Sequence, residues 1–194
     1  YWANWWRVYG LGEIGSLEGV CIPDWKEIDN LPEEARLLGH GLDFGYSVDS
    51  STIISLYKWN DAYIYDEILC KKGMLNRDIS RFLSQADIKE NIVADSAEPK
   101  SIAELQGYGH NIHGVTKGRD SVVYGINLMN QNEIYITSRS KNLKRELGGY
   151  VWAKDKEGNQ LQKPTGLHPD CIDAARYVLT DQLENPNKGQ YFIY

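Results

Sequence analysis

Gly41-Leu42-Asp43-Phe44-Gly45, followed closely by the β-branched run Thr52-Ile53-Ile54, is the stretch on which the fold depends. A lone carboxylate set among apolar strand residues is costly to bury unless something compensates it, and a metal ion is one such partner. The flanking glycines leave room for backbone or a ligand to come close. Two later runs repeat the pattern of an acid among small or apolar neighbours: Val93-Ala94-Asp95-Ser96-Ala97-Glu98 and Pro169-Asp170-Cys171-Ile172-Asp173-Ala174.

Working outward, His40 to Leu69 reads as three strands. Leu42 and Phe44 flank Asp43, and Thr52 to Tyr57 and Ala62 to Leu69 are apolar runs joined by the turn signal Lys58-Trp59-Asn60-Asp61, which together predict an antiparallel meander. The rhythm then changes. Asn76 is placed to cap a helix carrying Ile79, Phe82 and Leu83, and Asn91 to Ala94 is a strand. Ser96 and Pro99 open a second helix, and Asn111 to Val115 is a further strand. Asp120 or Ser121 caps a third helix, and Glu133 to Thr137 is a short strand. Residues 139 to 149 form a basic, partly helical link, Tyr150 to Lys163 a hairpin, and Pro169 starts a last helix with Asp170, Asp173 and Tyr177 on one face. The predicted class is therefore α/β, a mixed sheet with a three-strand antiparallel meander followed by parallel strands, flanked by helices and carrying an extra β-hairpin.

Ahead of the meander, aromatic residues interleave with glycines through the first 40 positions, as in a segment that packs on a surface. Leu31 to Leu38 is expected to add a short helical turn starting near Pro32. The chain opens on Tyr1-Trp2 with no initiator Met and is expected to be a fragment whose N-terminal part has been left off. No run approaches the ~18 apolar residues of a membrane span, and no signal peptide is visible.

The 194 residues are 42% apolar and 25% charged, enough for one full-sized core. A net charge of -6 suits a nucleic-acid binder poorly unless its acids hold cations and its bases are clustered. Lys117/Arg119 and Lys141/Lys144/Arg145 are such clusters. The three cysteines, Cys21, Cys70 and Cys171, are far apart and odd in number, which favours buried thiols over a disulfide framework. The four histidines show no zinc spacing, and neither a phosphate-binding P-loop nor a Ser-nucleophile elbow is present.

In an open sheet the strand after the crossover can lie beside the first strand, so Asp43 and Asp95 are candidates to meet, with Asp173 brought in on the terminal helix. Clustered carboxylates repel and take up protons unless cations sit between them, which points to one or two Mg²⁺ or Mn²⁺ ions and to phosphodiester chemistry. Each acid also has a plainer reading: Asp95 as a helix cap, and Asp49, Asp61, Asp66 and Asp120 as structural residues in turn-like settings.

Tyr9-Gly10-Leu11-Gly12 through Ser16-Leu17-Glu18-Gly19, GLDFGYSVDSS at 41 to 51, ADSAEPKSI at 94 to 102, KGRDSVVYGI at 117 to 126 and DAARY at 173 to 177 occur in an order that resembles the C-terminal nuclease domain of tailed-bacteriophage terminase large subunits. The resemblance covers nearly the whole chain. It implies a ribonuclease H-like fold and a metal-dependent endonuclease that cuts concatemeric viral DNA during packaging. Two divalent cations, Mg²⁺ or Mn²⁺, are then expected on Asp43, Asp95 and Asp173. Asp170 stands where the family often has a His three residues before its last acid, and is a further candidate ligand; Glu98 is a candidate either to support the ligands from behind or to serve as an alternate ligand. The implied layout is a junction over 1–39, the nuclease domain over 40–184 and a tail over 185–194. The implied partners are double-stranded DNA, an N-terminal ATPase motor of the same polypeptide, the small terminase subunit and the portal, with no membrane, in the cytoplasm of the infected bacterial host. Lys100, Lys117, Arg119, Lys141, Lys144, Arg145, Lys154 and Lys156 are the candidate DNA contacts.

Two other readings compete. An actin-like or sugar-kinase phosphotransferase also uses an Asp between strand glycines, but it normally needs two such halves and the sequence shows no second Gly-rich phosphate loop, so the glycines beside Asp43 read as clearance for DNA and metal rather than as a nucleotide-phosphate cradle. A non-catalytic module would only bind DNA or a portal-like partner.

Overall fold

The computed structural model describes residues 19–46, 48–118, 120–165 and 169–185. Nine strands are described: β1 (Lys26–Ile28), β2 (Arg36–Asp43), β3 (Ser51–Trp59), β4 (Ala62–Lys71), β5 (Ile92–Ala94), β6 (Ile112–Gly114), β7 (Ile134–Thr137), β8 (Val151–Lys154) and β9 (Gln160–Thr165). Five helices interleave with them: α1 (Asn76–Gln85), α2 (Pro99–Gly107), α3 (Ser121–Asn130), α4 (Lys141–Gly149) and α5 (Asp170–Glu184). The first seven strands form one mixed sheet in the order β1-β7-β4-β3-β2-β5-β6. β2, β3 and β4 are the antiparallel meander, while β5 runs parallel to β2 and β6 parallel to β5.

Strand alternation sorts side chains to the two faces. Leu42, Ile53, Ile92 and Ala94 meet Ile79 and Leu83 of α1 and Ile102 and Leu105 of α2. Their neighbours in sequence face the other way, where Ile54 joins Ile126 of α3, Leu143 and Leu147 of α4, and Ile172, Ala175 and Val178 of α5. The central strands are thus covered on both sides, which explains why they read as continuous apolar runs rather than as an alternation.

Several local expectations are corrected. Leu31 to Leu38 is not helical: the Ala35 N–H bonds the Pro32 carbonyl in a turn and β2 begins at Arg36. Pro32 serves there as a turn former, and the residues beyond it pair with Lys58 and Tyr57. The lead-in also supplies β1, an edge strand parallel to β7, and buries Cys21 and Ile22 in the core. Asn76 is the first helical residue rather than the cap; the Asp78 carboxylate accepts the Leu75 N–H at 3.1 Å, and the Asn76 amide reaches Glu104 of α2 at 2.7 Å. Asp120 precedes α3 in a left-handed conformation and makes no side-chain cap. Among the described residues, no helix is long and apolar enough to cross a membrane.

Candidate active site

The site is built by register. Asp43 is the last residue of β2, and Leu42 pairs with Ala94 of β5, so Asp95 follows at the same end of the adjacent parallel strand. Asp43 lies two residues from Gly41 and therefore projects to the same face, the one covered by α5. Gly41 is what lets that helix settle: a Cβ there would lie 1.8 Å from the Ala174 carbonyl oxygen. The glycine thus makes room for the protein's own helix, correcting its reading as clearance for DNA and metal. With α5 seated, Asp170 and Asp173 stand in its first turn beside Asp43.

Convergence has an electrostatic signature. Burial, followed by the charges of Asp173, Asp170 and Asp95, pushes the Asp43 pKa up to about 8, and Lys117 is the cation that acts against this. Asp95 goes the other way. Burial works to raise it, but Lys117, the Ala97 N–H at 2.7 Å and the Tyr177 hydroxyl at 3.3 Å hold it below the usual carboxylate value. The Lys117 ammonium pairs with Asp95 Oδ1 and lies 5.1 Å from the centre of the Tyr177 ring. Asp173 Oδ1 accepts a 2.5 Å bond from Nη2 of Arg176, one turn along the helix. Asp170 Oδ2 accepts the Ser50 N–H at 2.8 Å and so ties α5 to the loop that follows Asp43. Among the described residues, no group of three or more His, Cys, Asp or Glu is set to hold a metal ion as the side chains stand. Asp95 is paired instead with Lys117, and Asp173 with Arg176.

Two groups that local sequence did not single out hold this corner together. Glu146 of α4 accepts the N–H groups of Cys171 and Ile172 at 2.8 and 3.1 Å, anchoring the start of α5. Burial raises its pKa to about 8 despite those bonds. Cys70 and Cys171, distant in sequence, bring their sulfur atoms to 3.9 Å, and the hydrogen bond with Cys171 lowers the Cys70 thiol to about 6. The signal for Glu146 was an acid at helical spacing within a segment dominated by its basic residues.

The remaining candidates are dispersed. Glu98 precedes α2, receives the Ser101 hydroxyl at 3.4 Å and lines a cleft of about 630 Å³ with Phe44 and Tyr46, apart from the groups that act on Asp43. Lys117 lines a second cleft, about 570 Å³, between α3 and α5, with Asp95 and Asp173 at its edge. Lys100, Lys141, Arg145, Lys154 and Lys156 are exposed. Lys144 is committed to Glu27 at 3.0 Å and to the Ser138 carbonyl at 2.9 Å. Arg119 lies outside the described residues. Asp66, read as a turn residue, is instead a fully buried strand residue that accepts Thr137 Oγ1 and Arg139 Nε, each at 2.7 Å. The hairpin β8–β9 forms as expected around Asp155, which caps its own turn through Glu157 and Asn159.

Comparison with known proteins gives concordant matches. The family model of the terminase RNase H-like domain matches residues 43–181. The large terminase subunit of Bacillus phage SPP1 is 31% identical over 151 residues, covering 74% of this chain and 36% of that protein. The chain spans about a third of the length of the curated relatives it matches. Among solved structures, the nuclease domain of the SPP1 large terminase with bound Mn superposes with a TM-score of 0.70 at 24% identity, covering 81% of this chain and 96% of that one. The large terminase nuclease of phage G20c with bound magnesium gives 0.56 at 15% identity, covering 84% and 96%. These likenesses establish the ribonuclease H-like fold.

Proposed function

The chain belongs to the terminase RNase H-like domain family, and from that premise we propose that it is a metal-dependent endonuclease that cuts double-stranded viral DNA concatemers during genome packaging. The observation that supports this reading is placement: Asp43 and Asp95 come at the same end of two paired parallel strands, and the helix packed over Gly41 carries Asp170 and Asp173 in its first turn. Four carboxylates are a hard-oxygen donor set that fits Mg²⁺ or Mn²⁺, and repulsion among them is what such ions relieve. The bound Mn and magnesium of the SPP1 and G20c nucleases support the same choice.

Asp43, Asp95 and Asp173 are the residues that hold two divalent cations, with Asp170 tuning the second. When bound, the ions supply water activation and stabilise charge on the attacking and leaving oxygens of an in-line displacement. The chain's own contribution is placement. β2 and β5 fix two of the acids by register, and α5 fixes the others over Gly41. Lys117, an exposed lining residue of the cleft that pairs with Asp95, would contact the DNA backbone if a metal ion took its place on that acid. Lys100, Lys154 and Lys156 are further contacts. Contacts of this kind give little sequence preference and strong salt sensitivity. In the whole protein an ATPase motor precedes the domain, and the small subunit and portal are its partners in the cytoplasm of the infected cell.

Incubation with supercoiled plasmid tests the reading. Nicked and linear products are expected with Mn²⁺ or Mg²⁺ and none with chelator; intact plasmid in every lane would refute it.

A further inference from the structure

We infer that Arg176 and Tyr177 are positioning residues, each orienting one carboxylate of the site, and that Gly125 of α3 provides the slot in which Arg176 lies. The inference rests on the two-cation reading above. Arg176 is three residues beyond Asp173 and Tyr177 four, so on α5 both side chains lie one turn from that acid. Arg176 Nη2 holds Asp173 Oδ1 at 2.5 Å, while the Tyr177 hydroxyl reaches across to Asp95 Oδ2 at 3.3 Å. One helical turn therefore carries an acid, the group that aims it and the group that aims its neighbour on β5.

Burial separates this from ordinary surface pairing. Arg176 is 4% exposed and Tyr177 5% exposed. Removing a guanidinium from water costs several kcal/mol unless it is well paired. Yet Arg176 Nε has no hydrogen-bond partner, and Nη1 has only a long 3.4 Å contact to the Ser121 carbonyl. An apolar side chain would join α3 to α5 with no such cost, so the carboxylate is the reason for an arginine here. The slot is equally specific. A Cβ at Gly125 would lie 3.1 Å from both Cδ and Nη1 of Arg176. A mid-helix glycine weakens a helix relative to alanine, and at this position the clearance it gives goes to the arginine.

The test measures Mn²⁺ affinity by titration calorimetry, metal-free melting, and the Mn²⁺ dependence of plasmid cleavage. Gly125→Ala presses on the Arg176 side chain, which must give by a few tenths of an ångström, while raising helix propensity. It is expected to weaken Mn²⁺ binding by up to about 10-fold, the low end for loss of an outer-sphere partner, with unchanged or higher metal-free Tm and near-normal cleavage at saturating Mn²⁺. Tyr177→Phe, which removes only the hydroxyl, is expected to act in the same direction through Asp95. Arg176→Lys should fall between wild type and Arg176→Met, because the charge is kept and the planar fork is lost. Wild-type Mn²⁺ affinity in properly folded Gly125→Ala and Tyr177→Phe would overturn the inference while leaving the nuclease reading intact. A wild-type chain that binds no Mn²⁺ would overturn both.

Discussion

Asp43 and Asp66 sit on strands of the same sheet, and the difference between them is the company each keeps. Asp66 is fully buried yet satisfied: Thr137 and Arg139 donate to it, and Ser140 extends the network through Thr137. Asp43 is only half-buried, but the charges of three other carboxylates act on it and, with burial, push its pKa up to about 8. A buried acid is therefore no mark of function by itself. An acid raised by like charges is the better candidate.

Replacement of the two acids should pull activity and stability apart. Asp43→Asn is expected to lower Mg²⁺-dependent cleavage by more than about 100-fold, beyond the range for losing an outer-sphere partner, while the metal-free domain melts no lower than wild type. Normal cleavage by that variant would remove Asp43 from the site. Gly41→Ala tests the seat rather than the acid. Overlap with the Ala174 backbone should cost about 3 kcal/mol and depress cleavage together with Tm, as read by melting and plasmid assays side by side. Asp66→Ala should do the opposite of Asp43→Asn. The buried Thr137 hydroxyl and the Arg139 guanidinium lose their acceptor at a cost of about 1–3 kcal/mol, seen as a lower urea midpoint, with cleavage per folded molecule unchanged.

Acidity offers a subtler separation. Asp43 and Glu146 titrate near 8 in the fold, against ordinary values of 3.8 and 4.5. A carboxyl whose pKa rises on folding costs nothing below its unfolded value, and the cost grows until the pH reaches its folded value. The metal-free domain should therefore lose stability between about pH 4 and pH 8, and Asp43→Asn should flatten part of that slope in melting experiments. An equal slope in the variant would mean that Asp43 does not carry the strain. The smallest effect is assigned to Glu98→Gln, whose cleavage rate should stay within about twofold of wild type, since its carboxylate serves the other cleft.

Much of this was legible in sequence. The meander, the parallel strand ending at Asp95 and the face of α5 bearing Asp170 and Asp173 all follow from local periodicity. What escaped was long-range. Asp66 reads like any polar residue beside a turn because its partners lie 71 and 73 positions away. Gly41 looks like ligand clearance until Ala174 is placed against it. Glu146 hides among lysines because its task is to cap a helix that starts 24 residues later. β1, Lys26-Glu27-Ile28, has two exposed charged residues and so offers none of the apolar run that declares the equally short β5.

The pairing of the hairpin has a consequence for modularity. The Trp152 N–H bonds the Gly19 carbonyl, the Cys21 N–H bonds the Tyr150 carbonyl, and Val20 bridges Val151. The first hairpin strand thus shares its free edge with residues that come more than a hundred positions earlier. A chimera that exchanges the hairpin between relatives must therefore carry the Gly19–Cys21 strip along with it, or it leaves an unmatched edge where two distant parts of the chain now serve as one graftable unit.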